Sequence, residues 1–303
     1  MLTPRYISEQ LQNLQNSICQ ALEQVDGKGK FVEDIWQRAD GGGGKTRILS
    51  NGNIIEKGGV NFSEVFGEVS ENMQEKLGMP KGKFFATGIS IVMHPHNPFV
   101  PIIHMNIRYF ELETQNENIY WFGGGIDLTP HYIDKDDARF FHQTLKNTCD
   151  KFDYAFYPHF KHWADDYFFI KHRNETRGIG GIFFDKLQED LKHSKQDFYD
   201  FWWAVGETFA PLYTELMHKN ATKPYNEQHK QWQKLRRGRY VEFNLVYDAG
   251  TKFGLESDGR IESILMSLPQ EAMWLYNFQP EAGSPEAETL SLLKKNIDWL
   301  NIR

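Results

Sequence analysis

Cysteine is almost absent from this chain of 303 residues, which holds only Cys19 and Cys149. They are too few and too far apart for a disulfide framework or a metal-binding spacing. Such usage fits a reducing compartment, and a cytoplasmic location is expected. No run approaches the ~18 uninterrupted apolar residues of a membrane-spanning helix. The opening MLTPRYISEQLQN has no apolar signal-peptide core, so no membrane insertion is expected. Positive charge is in deficit as well: 34 Lys and Arg against 41 Asp and Glu give a formal net charge of −7. That argues against nucleic acid as a partner, which needs a basic surface, while a local arginine cluster can still meet an anionic ligand. Aromatic residues are abundant instead, with 23 Phe, 13 Tyr and 8 Trp. They suit a thick core or a dimer interface, and more sharply a pocket for a flat ligand.

The stretch that organises the rest is GISIVMHPHNPFVPIIHMNIR, Gly88 to Arg108. It reads as two strands joined by a proline-studded connector. In the first, Ile89, Ile91 and Met93 face one way, and Ser90, Val92 and His94 the other. In the second, Met105, Ile107 and Tyr109 share one face, and His104, Asn106 and Arg108 the opposite one. A proton donor or ligand, a neutral hydrogen-bonder and a fixed cation therefore point into one space. A buried arginine needs an anionic partner, either a ligand or a structural bridge, for which Asp127 is the candidate. Arg260, after the turn Asp258-Gly259, is a second clamp for a polycarboxylate or simply a solvated hairpin tip.

The remaining pattern is mixed. An amphipathic helix over residues 5–25 carries Ile7, Leu11, Leu14, Ile18 and Leu22 on one stripe. Ala39 to Thr46 matches a relaxed phosphate-loop pattern, but no apolar strand leads in and no helix opens on Lys45. A mobile glycine-rich loop entering a hairpin is the reading preferred here. A short helix is expected at Ser70–Leu77, and a third strand over Ile119–Phe122 runs into Gly123-Gly124-Gly125. Those glycines let a backbone or ligand approach closely. Asp127, just beyond, either closes a turn before Pro130 or is offered to a ligand beside a side-chain-free floor. Helices are expected over 136–152, 158–172 and 196–219, the last interrupted near Gly206 and Pro211. Tyr240–Ser267 reads as strands with turns at Asp248-Ala249-Gly250 and Ser257-Asp258-Gly259. Ser284 caps a final helix with Pro285 at its first position and Leu290, Leu293, Ile297 and Leu300 inward.

No internal repeat or long linker divides the chain. One α+β domain spanning 1–303 is the economical reading, a large, mainly antiparallel sheet being its centre. Of eleven histidines, His94, His104, His142 and His172 are the ones a metal would gather. Their spacing does not support a metal, and His104 stands better as a proton donor oriented by its strand.

The runs GISIVMHPHNPFVPIIHMNIRYFE, WFGGGIDLTP, DDYFFIKHRNETRGIGGIFFD and GRYVEFNLVYDAGTKFGLESDGRIESILMSLP closely resemble the oxygen-dependent coproporphyrinogen III oxidase family. The likeness extends from GGGGKTRIL nearly to the C-terminus. It implies a broad antiparallel sheet flanked by helices on both faces, and a homodimer joined through residues 240–275. It also implies oxidative decarboxylation of two propionates of coproporphyrinogen III to vinyl groups, giving protoporphyrinogen IX. Molecular oxygen is then the co-substrate, carbon dioxide and hydrogen peroxide leave, and no organic cofactor takes part. Carried over by residue, His104 is the proton donor and Asp127 engages the pyrrole nitrogens. Ser90, Asn106, Ile107, Arg108, Asp258, Gly259 and Arg260 contact substrate, Asp258 departing from the more usual glycine. His94, His104, His142 and His172 match positions assigned to a divalent cation, Mn2+ being one such ion. A non-catalytic tetrapyrrole carrier is the alternative from another class.

Overall fold

The computed structural model describes residues 2–39, 41–71, 74–75, 78–256 and 260–302. The first helix, α1 (Pro4–Asp26), starts where the Thr3 hydroxyl accepts from the Tyr6 N–H at 3.2 Å and Pro4 presets the backbone. It stops at Gly27, which takes φ +74° and donates back to the Glu23 carbonyl. Ile7, Leu11, Leu14, Ile18 and Leu22 are all buried, as the sequence stripe requires. Each contributes about 1.5–3 kcal/mol of burial.

Next come β1 (Val32–Gln37), β2 (Gly42–Ser50), β3 (Ile55–Glu68), β4 (Lys83–Pro95), β5 (Ile102–Glu113) and β6 (Asn118–Thr129). With β9 (Gly180–Leu187) they form a seven-stranded antiparallel sheet in the order β1-β2-β3-β4-β5-β6-β9. The supposed phosphate-loop segment is thus strand: Gly43, Gly44 and Lys45 pair with Glu64, Ser63 and Phe62. The Lys45 ammonium donates to Gln12 of α1 at 3.0 Å. Gly42, Gly43 and Gly44 belong to the ladder, and Gly41 alone stays in the turn before it.

Between β6 and β9 lie α2 (Lys135–Cys149), α3 (Phe156–Tyr167) and a two-stranded ladder, β7 (Phe169–Ile170) with β8 (Glu175–Thr176). That ladder ends α3 earlier than the sequence pattern suggested, leaving His172 in a turn. After β9 runs α4 (Lys195–Asn220), continuous through Gly206 and Pro211. A Cβ on Gly206 would meet Leu14 and Ile107 at 2.8 Å, so the glycine seats the helix against α1 and the sheet. Pro211 faces solvent, where the carbonyl it cannot bond is free to hydrate.

The main correction concerns Tyr240–Ser267, whose described residues are mostly helical. It comprises the end of α5 (Glu227–Val246), then α6 (Ala249–Glu256) and α7 (Ile261–Leu265). The sequence alternates as a strand would, but a capping box at Asn226 starts a helix that buries Trp232, Tyr240 and Phe243 and leaves Leu245 and Val246 outside. Asp248 accepts from the Thr251 N–H at 2.7 Å, opening a helix where a hairpin turn was expected. Ser257, Asp258 and Gly259 lie outside the described residues, as do Asn72, Met73, Lys76 and Leu77 of the expected short helix. The last helix, α8 (Pro285–Leu292), begins at Ser284 as expected but ends before Ile297 and Leu300.

Two layers cover the sheet. The apolar face of β4–β6, with Ile89, Ile91, Met105, Ile107 and Ile126, packs on α1, α2 and α4. The other face meets α5–α7. Tyr240 rests on Val92 and Ile102, Ser263 binds Thr46 and Asn61, and Gly59 leaves space that the Met266 thioether occupies.

Candidate active site

The second face carries a polar strip because β4, β5 and β6 are in register. Val92, His104 and Asp127 are cross-strand neighbours, as are Ser90, Asn106 and Gly125, and Gly88, Arg108 and Gly123. The alternation of His104, Asn106 and Arg108 therefore survives folding, and all three side chains are partly exposed. Ile107 points the other way and is fully buried, so its side chain cannot reach this strip.

Asp127 is sealed beneath the strip rather than offered to it. Its side chain is 1% exposed, against 20% for His104. Oδ1 accepts from His104 Nδ1 at 2.8 Å and from Arg177 Nη2 at 2.7 Å. Oδ2 accepts from the same Nη2 at 2.8 Å and from Nε at 3.2 Å. Burial alone would raise the Asp127 pKa, but the Arg177 charge and the His104 hydrogen bond hold it below the ordinary carboxylate value. Burial likewise works against charge on Arg177, and Asp127 more than offsets it. The guanidinium lies within 4.5–4.6 Å of the Phe168, Tyr240 and Phe243 ring centres, and Nη1 donates to Asn244 at 3.0 Å. With Nδ1–H given to the carboxylate, His104 keeps Nε2 as its other functional atom.

Arg177 was not singled out in the sequence as a site residue, and the expected Arg108–Asp127 bridge does not form. Arg108 instead donates to Asp185 Oδ1 at 2.8 Å and to Asn106 at 2.9 Å, with Trp121 5.6 Å beneath it. Gly123 makes this possible: a Cβ there would stand 2.5 Å from Asp185 Oδ1 and 3.1 Å from Arg108 Cζ. The β6–β9 ladder shifts register beside Gly123, and Lys186 takes φ +52°, a bulge that re-aims Asp185. The signal for Arg177 was the cluster of Gly178, Gly180 and Gly181 following it, where backbone packs too closely for side chains.

Arg260 lies at the opposite border. It donates to Ser263 at 3.2 Å and pairs with Asp34 of β1. Ser263 also meets the Thr46 hydroxyl at 2.9 Å and accepts from Asn61 Nδ2 at its carbonyl, 2.8 Å away. From β2 to β5 the sheet spans about 14 Å, and α7 covers its β2–β3 end through Ser263. Asp258 and Gly259 lie outside the described residues.

The four histidines expected to share a metal do not converge. His94 is fully buried and donates through Nε2 to the Ser267 carbonyl at 2.8 Å; burial, with Arg237 nearby, pushes its pKa down to about 3. His142 lies in the main core on the other side of the sheet, between the Tyr157 hydroxyl and the Ile179 carbonyl, each at 3.0 Å. Burial lowers it to about 3 as well. His172 is exposed and bonded to Glu242 and Tyr247, both at 2.7 Å. Burial alone would raise Glu242, but hydrogen bonds from Arg173, His172 and Trp274 bring it down to about 2. Among the described residues no three His, Cys, Asp or Glu side chains gather as an ion would need. An ion such as Mn2+ does not fit these four residues as one ligand set.

A family model described as Coproporphyrinogen III oxidase matches residues 6–299 of the chain. The chain is also similar to Coproporphyrinogen-III oxidase 1, chloroplastic, of Arabidopsis thaliana. The two are 46% identical over 301 aligned residues, covering 94% of this chain and 76% of the relative.

Proposed function

The chain belongs to the coproporphyrinogen III oxidase family, and from that premise we propose how the polar strip serves the reaction. The enzyme is an oxidoreductase of haem biosynthesis that decarboxylates coproporphyrinogen III oxidatively. In our reading the propionates of rings A and B become vinyl groups, giving protoporphyrinogen IX. Each propionic acid arm loses its carboxyl carbon as CO2, while two protons and two electrons pass to one O2, which leaves as hydrogen peroxide. No organic cofactor takes part, because the electron-rich pyrrole can itself meet oxygen.

His104 is the proton-carrying residue of this reading and works through Nε2, since Asp127 takes Nδ1–H. Asp127, held by Arg177, orients that imidazole. Arg108 receives a propionate, Ser90 and Asn106 hydrogen-bond beside it, and Ile107 supplies only main chain. Arg260, with Asp258 and Gly259 next to it, borders the far end. The observation that carries the reading is the Asp127-held His104 on the same strand face as Arg108.

The working unit in this reading is a homodimer joined through residues 240–275. Exposed Leu245, Val246, Leu255, Ile261, Trp274 and Leu275 support that surface. No described helix is long and apolar enough to cross a membrane. A cytoplasmic location accords with two free, buried cysteines.

The test is oxygen uptake together with protoporphyrin fluorescence from coproporphyrinogen III, before and after exhaustive chelation. Coupled uptake and product formation are expected. Tight binding without oxygen uptake would instead describe a carrier.

A further inference from the structure

The strip holds carboxylates of two kinds. Asp127 has both oxygens occupied by His104 and Arg177 and is closed to solvent. Asp185 has a side chain 27% exposed beside an Arg108 that is 33% exposed. Only its Oδ1 is engaged, by Arg108; among the described residues Oδ2 has no partner. A carboxylate has about four lone-pair sites, so Asp185 keeps most of its accepting capacity turned to the strip.

Arg108 is in the complementary condition. Asn106 and Asp185 take two of its N–H donors, leaving the others of the five for a bidentate carboxylate. An open acceptor and an open donor thus stand side by side over Gly123, where no Cβ intervenes. The bulge at Lys186, with φ +52°, aims Asp185 at this spot. A porphyrinogen presents the matching pair, with inward N–H donors at its centre and anionic propionates at its rim.

We propose that Asp185 is the acceptor for the pyrrole N–H groups of the bound tetrapyrrole, seated beside the arginine that takes a propionate. This rests on reading coproporphyrinogen III as the substrate. Asp185 then contacts substrate directly, whereas Asp127 acts through His104. The negative Asp185 also repels a propionate misplaced over the centre, so the macrocycle docks in one orientation.

The test uses two probes bound by the purified, full-length protein: free-base coproporphyrin III and its palladium(II) chelate. The chelate keeps the propionates, has no inner N–H, and its square-planar ion takes no axial carboxylate. Wild type should bind the free base more tightly. Asp185→Asn keeps an oxygen for Arg108 but loses the charge, and should weaken free-base binding by about 10- to 100-fold. It should leave the chelate within about 3-fold and so abolish the preference. Equal weakening of both probes would reduce Asp185 to a support for Arg108 and overturn the proposal. Equal wild-type affinity for the two probes would overturn it without any variant. Wild-type turnover of coproporphyrinogen III in air is followed in parallel. Its absence, with the binding preference intact, would refute the assigned reaction and leave Asp185's role standing.

Discussion

His104 owes its orientation to a carboxylate that solvent does not reach, and the two variants that probe this pair should fail differently. His104→Gln should lower kcat by about 10²-fold or more, with little change in KM, because a positioned proton carrier is lost. Asp127→Asn should lower kcat in the same direction by releasing the imidazole. It should also lower stability by about 3–5 kcal/mol, since the buried Arg177 loses its counter-charge. Near-normal turnover by Asp127→Asn, measured as protoporphyrin fluorescence, would remove Asp127 from the mechanism. Arg108→Ala should act chiefly on KM, by about 1.5–3 kcal/mol for a charge-assisted pair. An unchanged KM in substrate titrations would place the propionate elsewhere. The arginine on the strip was legible from alternation. Its partner was not, because Asp185 lies 77 positions away and reaches Arg108 only across β6.

At the scale of elements, the glycine run of β6 performs two tasks. Gly124 and Gly125 pair within the sheet, while Gly123 leaves the gap through which Arg108 meets Asp185. Gly123→Ala should cost little stability, on the order of 1 kcal/mol, because the new Cβ meets the ends of two flexible side chains. Binding of coproporphyrinogen III should weaken nonetheless, as the pair is pushed apart. A variant with native KM would show that the gap has no part in recognition. The run read correctly as a place of close approach, although what approaches is a salt bridge. The misreading of α5–α7 has a parallel cause. YVEFNLVY satisfies both a two-residue and a helical period, and the capping box at Asn226 with burial of Tyr240 and Phe243 decides for the helix.

At the scale of the molecule, stability should depend on pH through buried groups outside the strip. His131 is fully buried and held well below its ordinary value, first by burial and then by the Arg237 charge. Below about pH 6.5 the unfolded chain takes a proton that the folded chain refuses. Stability therefore falls on acidification, by up to about 1.4 kcal/mol per pH unit for this residue. Denaturant unfolding at pH 7.5, 6 and 5 should show the slope, and His131→Asn should reduce it; parallel profiles would exclude His131 as the cause. The proposed dimer makes a separate prediction. Leu245→Lys with Ile261→Lys should halve the mass seen by sedimentation, and an unchanged dimer would move the interface off this segment.

What the sequence determined by itself is what depends on neighbours along the chain. It specified α1 from its stripe and caps, and the strands carrying His104, Asn106 and Arg108 on one face from backbone alternation. Family membership was readable in the ordered runs that carry the strip and the helices above it. Tertiary structure alone decided the partnerships: Asp127 with Arg177, Arg108 with Asp185, and four histidines dispersed across both faces of the sheet. The physical reason is that an ion pair or ligand set depends on distances between elements. Those distances follow from strand order, bulges and helix placement, which no local period records.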